Sequence, residues 1–174
     1  MTDLKTWTTH DKSTWGDGPW QAEPDKAHWI AHGLDCLIVR NNFGALCGYV
    51  GVPRGHRCFE VDYNDLAYEG VYAHGGLTFS NRCQPRGADE ARGICHPVEG
   101  AAHAEVWWLG FDCGHAGDLS PGYAPYLREH LGESYPHLAN PFGEEYRDLP
   151  YVIAQVEGLA LQLSLPGGPG ELQA

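Results

Sequence analysis

Two short segments of this 174-residue chain gather most of the side chains able to do chemistry. In residues 107–121, WWLGFDCGHAGDLSP, an apolar run ends in Asp112, Cys113, His115 and Asp118, with glycines between them. In residues 71–81, VYAHGGLTFSN, His74 and Thr78 flank Gly75 and Gly76. An apolar strand that empties into a loop of carboxylates, thiol and imidazole places reactive groups on a rigid support.

Asp112, His115 and Asp118 follow one another at steps of three, and His74 completes a set from a second segment. Imidazole with carboxylate suits Zn, Mn or Fe, whereas carboxylates alone suit Mg or Ca. The expected cofactor is a divalent ion, Zn, Mn or Mg, held by His74, His115 and Asp118. Asp112 then acts as ligand or general base, and Thr78 or the Gly75 and Gly76 amides orient a substrate. The competing account makes both aspartates turn residues that cap their own backbone beside glycine. Cys113 and His115 suggest a thiol nucleophile. Cys113 alternates with Phe111, however, and a core position is the stronger reading. Arg54 and His56 sit in a turn, and Arg82, Arg86 and Arg92 in a loop, where they either meet an anion or face water. His96 and His103 flank Glu99 and read as uncommitted.

The elements that carry these residues follow from periodicity. Residues 34–40 and 45–52 are β-rich runs joined by Asn41-Asn42-Phe43-Gly44, a hairpin signal. Residues 71–80 and 105–112 read as two further strands. If they are neighbours, His74, Thr78 and Asp112 project from one side, and Gly76 and Gly110 leave a hollow there. A short helix is expected over residues 62–68, and a helical turn near 126–131. The clearest helix is 149–164, where Leu149, Val152, Ile153, Val156, Ala160 and Leu163 form one apolar stripe behind an Asp148 N-cap. It should cover a face made by Leu77, Phe79, Leu109 and Phe111. Residues 1–27 read as an irregular arm that packs its tryptophans on the domain, 81–104 as a long loop, and 167–174 as a flexible tail.

The chain suits one domain with a real core, 43% of its residues being hydrophobic. Its formal net charge of -12 argues against direct nucleic-acid binding and leaves a basic protein partner open. No run is long enough to span a membrane, and the N-terminus has no apolar leader segment. Six irregularly spaced cysteines fit reduced thiols in a cytoplasmic setting.

Four blocks carry a resemblance: CGYVGVPRGH (47–56), YAHGGLTFS (72–80), WWLGFDCGHAGDLSP (107–121) and YRDLPYVIAQVEGLALQL (146–163). In these the chain resembles small uncharacterised proteins of bacteriophages and prophages. The resemblance implies an origin in the host cytoplasm and a shared site at His74, Asp112, His115 and Asp118. It supplies no substrate; nucleotide metabolism and antagonism of host defence are the settings it suggests. The expected fold is a single α+β domain, mainly antiparallel sheet, with the C-terminal helix packed on one face. The leading expectation of function is metal-assisted hydrolysis of a small phosphorylated or nucleotide-like molecule. The rival is binding without turnover, which sequesters a nucleotide signal or blocks a host defence protein.

Overall fold

The computed structural model describes residues 4–86, 89–95, 105–132 and 143–166. Among the described residues eight strands are formed: β1 (Lys5–Trp7), β2 (Lys26–Ala31), β3 (Leu34–Arg40), β4 (Leu46–Pro53), β5 (Phe79–Arg82), β6 (Gln84–Arg86), β7 (Asp89–Ile94) and β8 (Val106–Asp112). Three helices accompany them: α1 (Tyr63–Tyr68), α2 (Tyr123–Leu131) and α3 (Leu149–Ser164). Six strands pair antiparallel throughout in the order β1-β2-β3-β4-β8-β5. The remaining two, β6 and β7, form a separate hairpin. The expected α+β domain with its C-terminal helix on the sheet is therefore observed.

Both faces of the sheet centre are covered, which explains why β4 is buried from Leu46 to Val52 with no alternation. On one face, Ile38, Val50, Leu109 and Phe111 meet Val152, Val156, Leu159 and Leu163 of α3. On the other, Leu37, Tyr49 and Trp108 pack against Phe79 and Ile94 near the β6–β7 hairpin. Helix α3 starts where the sequence places it, with the Asp148 carboxylate accepting a bond from the Tyr151 amide at 3.0 Å.

Four expectations need correction. The arm over residues 1–27 is not wholly irregular: it contributes β1, a 3-10 turn at Pro19–Gln21 and the start of β2. The turn from β2 to β3 is His32-Gly33, both at positive φ (52° and 77°), a two-residue hairpin without an Asn-Gly signature. Of the strand expected over 71–80, only β5 forms. Gly75 and Gly76 take positive φ (65° and 93°), which breaks the extended backbone after Ala73. Leu77, Leu109 and Phe111 consequently face α3 while Phe79 turns away to stack edge-on against Tyr49. The long loop holds β6 and β7, whose ends bring Cys83 and Cys95 together in a disulfide. Free buried thiols remain at Cys36, Cys47, Cys58 and Cys113. The tail over 167–174 lies outside the described residues.

A buried ionic cluster locks the N-terminal segment to β3. Arg40 uses all five of its donors. Nε bonds Asp25 Oδ1 at 2.9 Å, Nη1 bonds Gly44 O at 2.8 Å and Tyr146 Oη at 2.7 Å, and Nη2 bonds Glu23 Oε2 at 3.1 Å and Pro24 O at 3.2 Å. Asp25 also pairs with Lys12 at 2.7 Å and accepts the Thr9 and His10 amides. Burial works to raise the Asp25 carboxyl, but these bonds prevail and hold it far below its ordinary value.

Removing Arg40 leaves two carboxylates without their cation, so Arg40→Met is expected to cost about 3–5 kcal/mol in urea denaturation at neutral pH. Asp25 has a depressed folded pKa, so its stabilisation is complete above the unfolded value of about 4. It is lost as pH falls from there toward the folded value. The stability difference between wild type and Asp25→Asn should therefore shrink between pH 5 and pH 3; a constant difference refutes this assignment.

Candidate functional site

Three elements converge at the edge of the sheet next to the α3 N-terminus. The turn after Ala73 presents His74, the loop after β8 presents His115 and Asp118, and the lead into α3 presents Arg147 and Tyr151. The Asp118 loop is held in place by main-chain bonds to residue 145: Leu119 N to Glu145 O at 3.0 Å, and Glu145 N to Gly117 O at 2.9 Å. Arg147 therefore falls beside Asp118.

Asp118 is the hub. Its Oδ2 lies 2.7 Å from His74 Nε2 and accepts the His115 amide at 3.2 Å, and its Oδ1 accepts Arg147 Nε at 2.8 Å. Its exposure is only 6%. Burial works to raise the carboxyl, yet the bonds from His74 and Arg147 keep it below its ordinary value and ionised at neutral pH. The bond to Asp118 in turn raises Arg147.

His74 is bonded at both ring nitrogens, because Nδ1 lies 2.9 Å from Tyr151 Oη. Burial raises the Tyr151 phenol, so it keeps its proton. With that O–H donated to Nδ1, Nε2 carries the ring proton and donates to Asp118. His115 is the opposite case. Its Nδ1 is buried without a hydrogen-bond partner among the described residues. It stands 3.7 Å from Asp118 Oδ2 and 3.9 Å from Asp112 Oδ1. One ligand atom each from His74, His115 and Asp118 lies within 4.8 Å of the others. Two imidazoles, a carboxylate and one orphaned nitrogen are a fitting donor set for a divalent ion.

Gly75 serves the site by its lack of a side chain. A β-carbon there would fall 2.6 Å from His115 Nδ1, so the imidazole lies directly over the glycine. The Gly76 amide is spent on Ala73 O at 2.9 Å. Gly110 leaves no hollow for a ligand, because the Tyr49 ring fills the space above it. Asp112 takes the turn role, capping the backbone beside its glycine, and it also meets Thr78. Its Oδ1 accepts the Gly114 amide at 2.9 Å, and its Oδ2 accepts Thr78 Oγ1 at 3.2 Å. Thr78 and Asp112 do meet, on the flank of the cluster.

A cleft of about 610 Å³ opens beside it. Its walls include Asp112, His115 and Asp118 together with the aromatic residues Trp15, Phe43 and Tyr123. Sequence reasoning missed Arg147 and Tyr151. Tyr151 lies off the apolar stripe of α3, and Arg147 precedes the N-cap, where nothing local marks a partner.

The other candidates have structural work. Cys113 is buried, and burial pushes its thiol well above the ordinary range, so it is a core residue. His56 Nε2 lies 2.9 Å from Leu163 O at the end of α3. Arg54 pairs with Glu105, Arg82 with Glu60 and Glu105, and Arg92 bonds Thr9 O. His96, Glu99, His103 and the Arg86 side chain lie outside what is described.

The two histidines should respond differently to truncation. His74→Ala strips partners from Tyr151 and Asp118 and is expected to cost about 1–3 kcal/mol. His115→Ala removes a ring one-third exposed with an unbonded nitrogen and should cost less. Thermal melts of both variants measure this, and an equal large loss would show His115 to be scaffold. Compared with known proteins, the chain matches no family model, no curated protein and no solved structure.

Proposed function

We propose that this protein is a metal-dependent hydrolase acting on a small phosphorylated or nucleotide-like molecule. The observation that carries this is the convergence of His74, His115 and Asp118 within 4.8 Å, with His115 and Asp118 also lining a cleft. Three protein ligands leave a further position for water or substrate, as catalytic sites do and closed structural ones do not.

Donors around a tetrahedral ion stand roughly 3.4 Å apart, given bonds of about 2.0–2.1 Å. The His115–Asp118 separation of 3.7 Å is near that value, and the 2.7 Å His74–Asp118 pair would need to open by under ~1 Å for these residues to hold an ion. Loss of the His74 Nε2 proton makes room for a cation. A bound ion acidifies a water and polarises a phosphoryl oxygen. Tyr151 and Arg147 hold His74 and Asp118 from behind, as outer partners of metal ligands do. Asp112 flanks the ligands on the cleft wall, where a carboxylate takes up the proton of an attacking water. Arg128 on the cleft wall provides a positive charge for an anionic substrate.

Two imidazoles favour Zn and Mn over Mg. Calorimetry on protein purified without a His tag should show one ion per chain, tighter for Zn and Mn. In the presence of metal, p-nitrophenyl phosphate and nucleoside monophosphates are the substrates to assay. Asp112→Asn should keep the ion and lower turnover by about 10²–10⁴-fold. No binding of any of the three ions overturns the proposal.

A second reading, ligand capture without turnover, is favoured by the ion pair between Arg147 and Asp118, which already neutralises the carboxylate. An intracellular phage setting and a host protein partner for the acidic surface belong to this reading. The fate of the ligand separates the two, because a binder releases it intact on denaturation and an enzyme releases product.

A further inference from the structure

Trp15 stands apart from the core tryptophans. Trp29 and Trp108 are 2% and 0% exposed, whereas Trp15 is only half-buried and lines the cleft. Its indole rests on two glycines from different elements. A β-carbon on Gly44 would fall 3.0 Å from Trp15 Cζ3, and one on Gly122 would fall 3.0 Å from Trp15 Cε2 and Nε1. The Gly122 amide bonds Phe43 O at 2.8 Å, so the seat is a single fixed surface. Gly44, Pro121 and Gly122 beneath it are buried.

Around this seat the fold leaves aromatic area in water. Phe43 is 39% exposed and Tyr123 50%. The two meet edge-on at 5.4 Å, which fixes Phe43 beside the cleft. Exposed aromatic groups clustered in a concavity mark a binding surface. Flat rings held rigidly are the surface that planar ligands stack on, with affinity gained from ring area rather than from hydrogen bonds. The same cleft is also lined by His115, Asp112 and Asp118.

We infer that Trp15, seated on Gly44 and Gly122 and bordered by Phe43 and Tyr123, is a stacking platform for the base of a nucleoside monophosphate. The ring lies on the indole, and the phosphoryl group points to His115. The platform stands on its own geometry; the placement of the phosphoryl group rests on the function proposed above. A single phosphoryl group suits a chain of net charge -12 better than a polyphosphate, because repulsion grows with ligand charge.

The test compares AMP with ribose 5-phosphate, which has the same phosphoryl group and no ring. Binding of each is measured by calorimetry, with Mn and again with a chelator. AMP is expected to bind at least about 10-fold more tightly than ribose 5-phosphate. Trp15→Ala and Tyr123→Ala should each weaken AMP by about 5-fold or more and leave ribose 5-phosphate unchanged. Circular dichroism melts establish that each variant is folded. If Trp15→Ala is not, Tyr123→Ala carries the test, since that ring is half exposed. Equal affinity for AMP and ribose 5-phosphate overturns the platform, as does capture of an aromatic peptide in preference to AMP. Mn binding with no ring preference overturns the platform alone. Ring-dependent AMP binding without any metal overturns the metal-dependent reading and leaves the platform standing.

Discussion

Arg40 is the group on which the arrangement of this molecule depends. A guanidinium without solvent contact must place five donors, and here all five find acceptors, drawn from three separate stretches of chain, residues 23–25, Gly44 and Tyr146. Asp25 and Glu23 fix the N-terminal segment to β3. Gly44 O fixes the β3–β4 turn. Tyr146 fixes the lead into α3. Glu23 extends the lock by accepting the Leu149 amide at 2.8 Å, at the first turn of that helix. Buried ion pairs are weak evidence for stability, since their desolvation offsets much of their attraction. Their better-supported role is to select one arrangement, and several partners here are main-chain groups that an apolar replacement would leave unbonded.

The site inherits its geometry from this lock. Tyr146 and Leu149 are held on either side of Arg147 and Asp148, so Arg147 has little choice but to meet Asp118. One helical turn on, Tyr151 reaches His74. The Gly44 carbonyl, fixed by Arg40, also sets the turn whose Phe43 borders the cleft. A single buried cation therefore reaches both the titratable cluster and the aromatic wall, although it touches neither His74 nor His115. A cluster positioned from outside in this way keeps its own groups available for chemistry.

Much of this was legible in the sequence where the pattern is local. The stripe of α3, its Asp148 cap, the β3–β4 hairpin and the apolar run of β8 follow from spacing alone, and the structure bears them out. Convergence of His74, His115 and Asp118 followed from glycine-spaced polar residues after apolar segments. What failed was non-local. Residues 71–78 have strand composition, but two positive-φ glycines turn them into the arm that carries His74. Strand β2 was hidden by a His-Gly turn, and the Cys83–Cys95 pairing by a hairpin that only tertiary contacts reveal. Arg147, Tyr151, and the seating of Trp15 on Gly44 and Gly122 have no signal in single-chain periodicity, because each depends on a partner about 30 to 110 residues away.

The failed reading of the HGG block shows how one feature serves two ends. As a strand with Leu77 toward α3, it would have placed His74 on the face of the sheet away from that helix, out of reach of Tyr151. As a turn, it sets the imidazole between Tyr151 and Asp118, and it opens at Gly75 the space that the His115 ring occupies. A side chain at Gly75 would have to move that ring, so the glycine fixes the distance between the two histidines. His115 is thereby held with its Nδ1 toward two carboxylates and without a hydrogen-bond partner among the described residues, an arrangement that folding alone does not favour. The same turn that removes His74 from the sheet thus brings the ligand atoms of His74, His115 and Asp118 within 4.8 Å of one another.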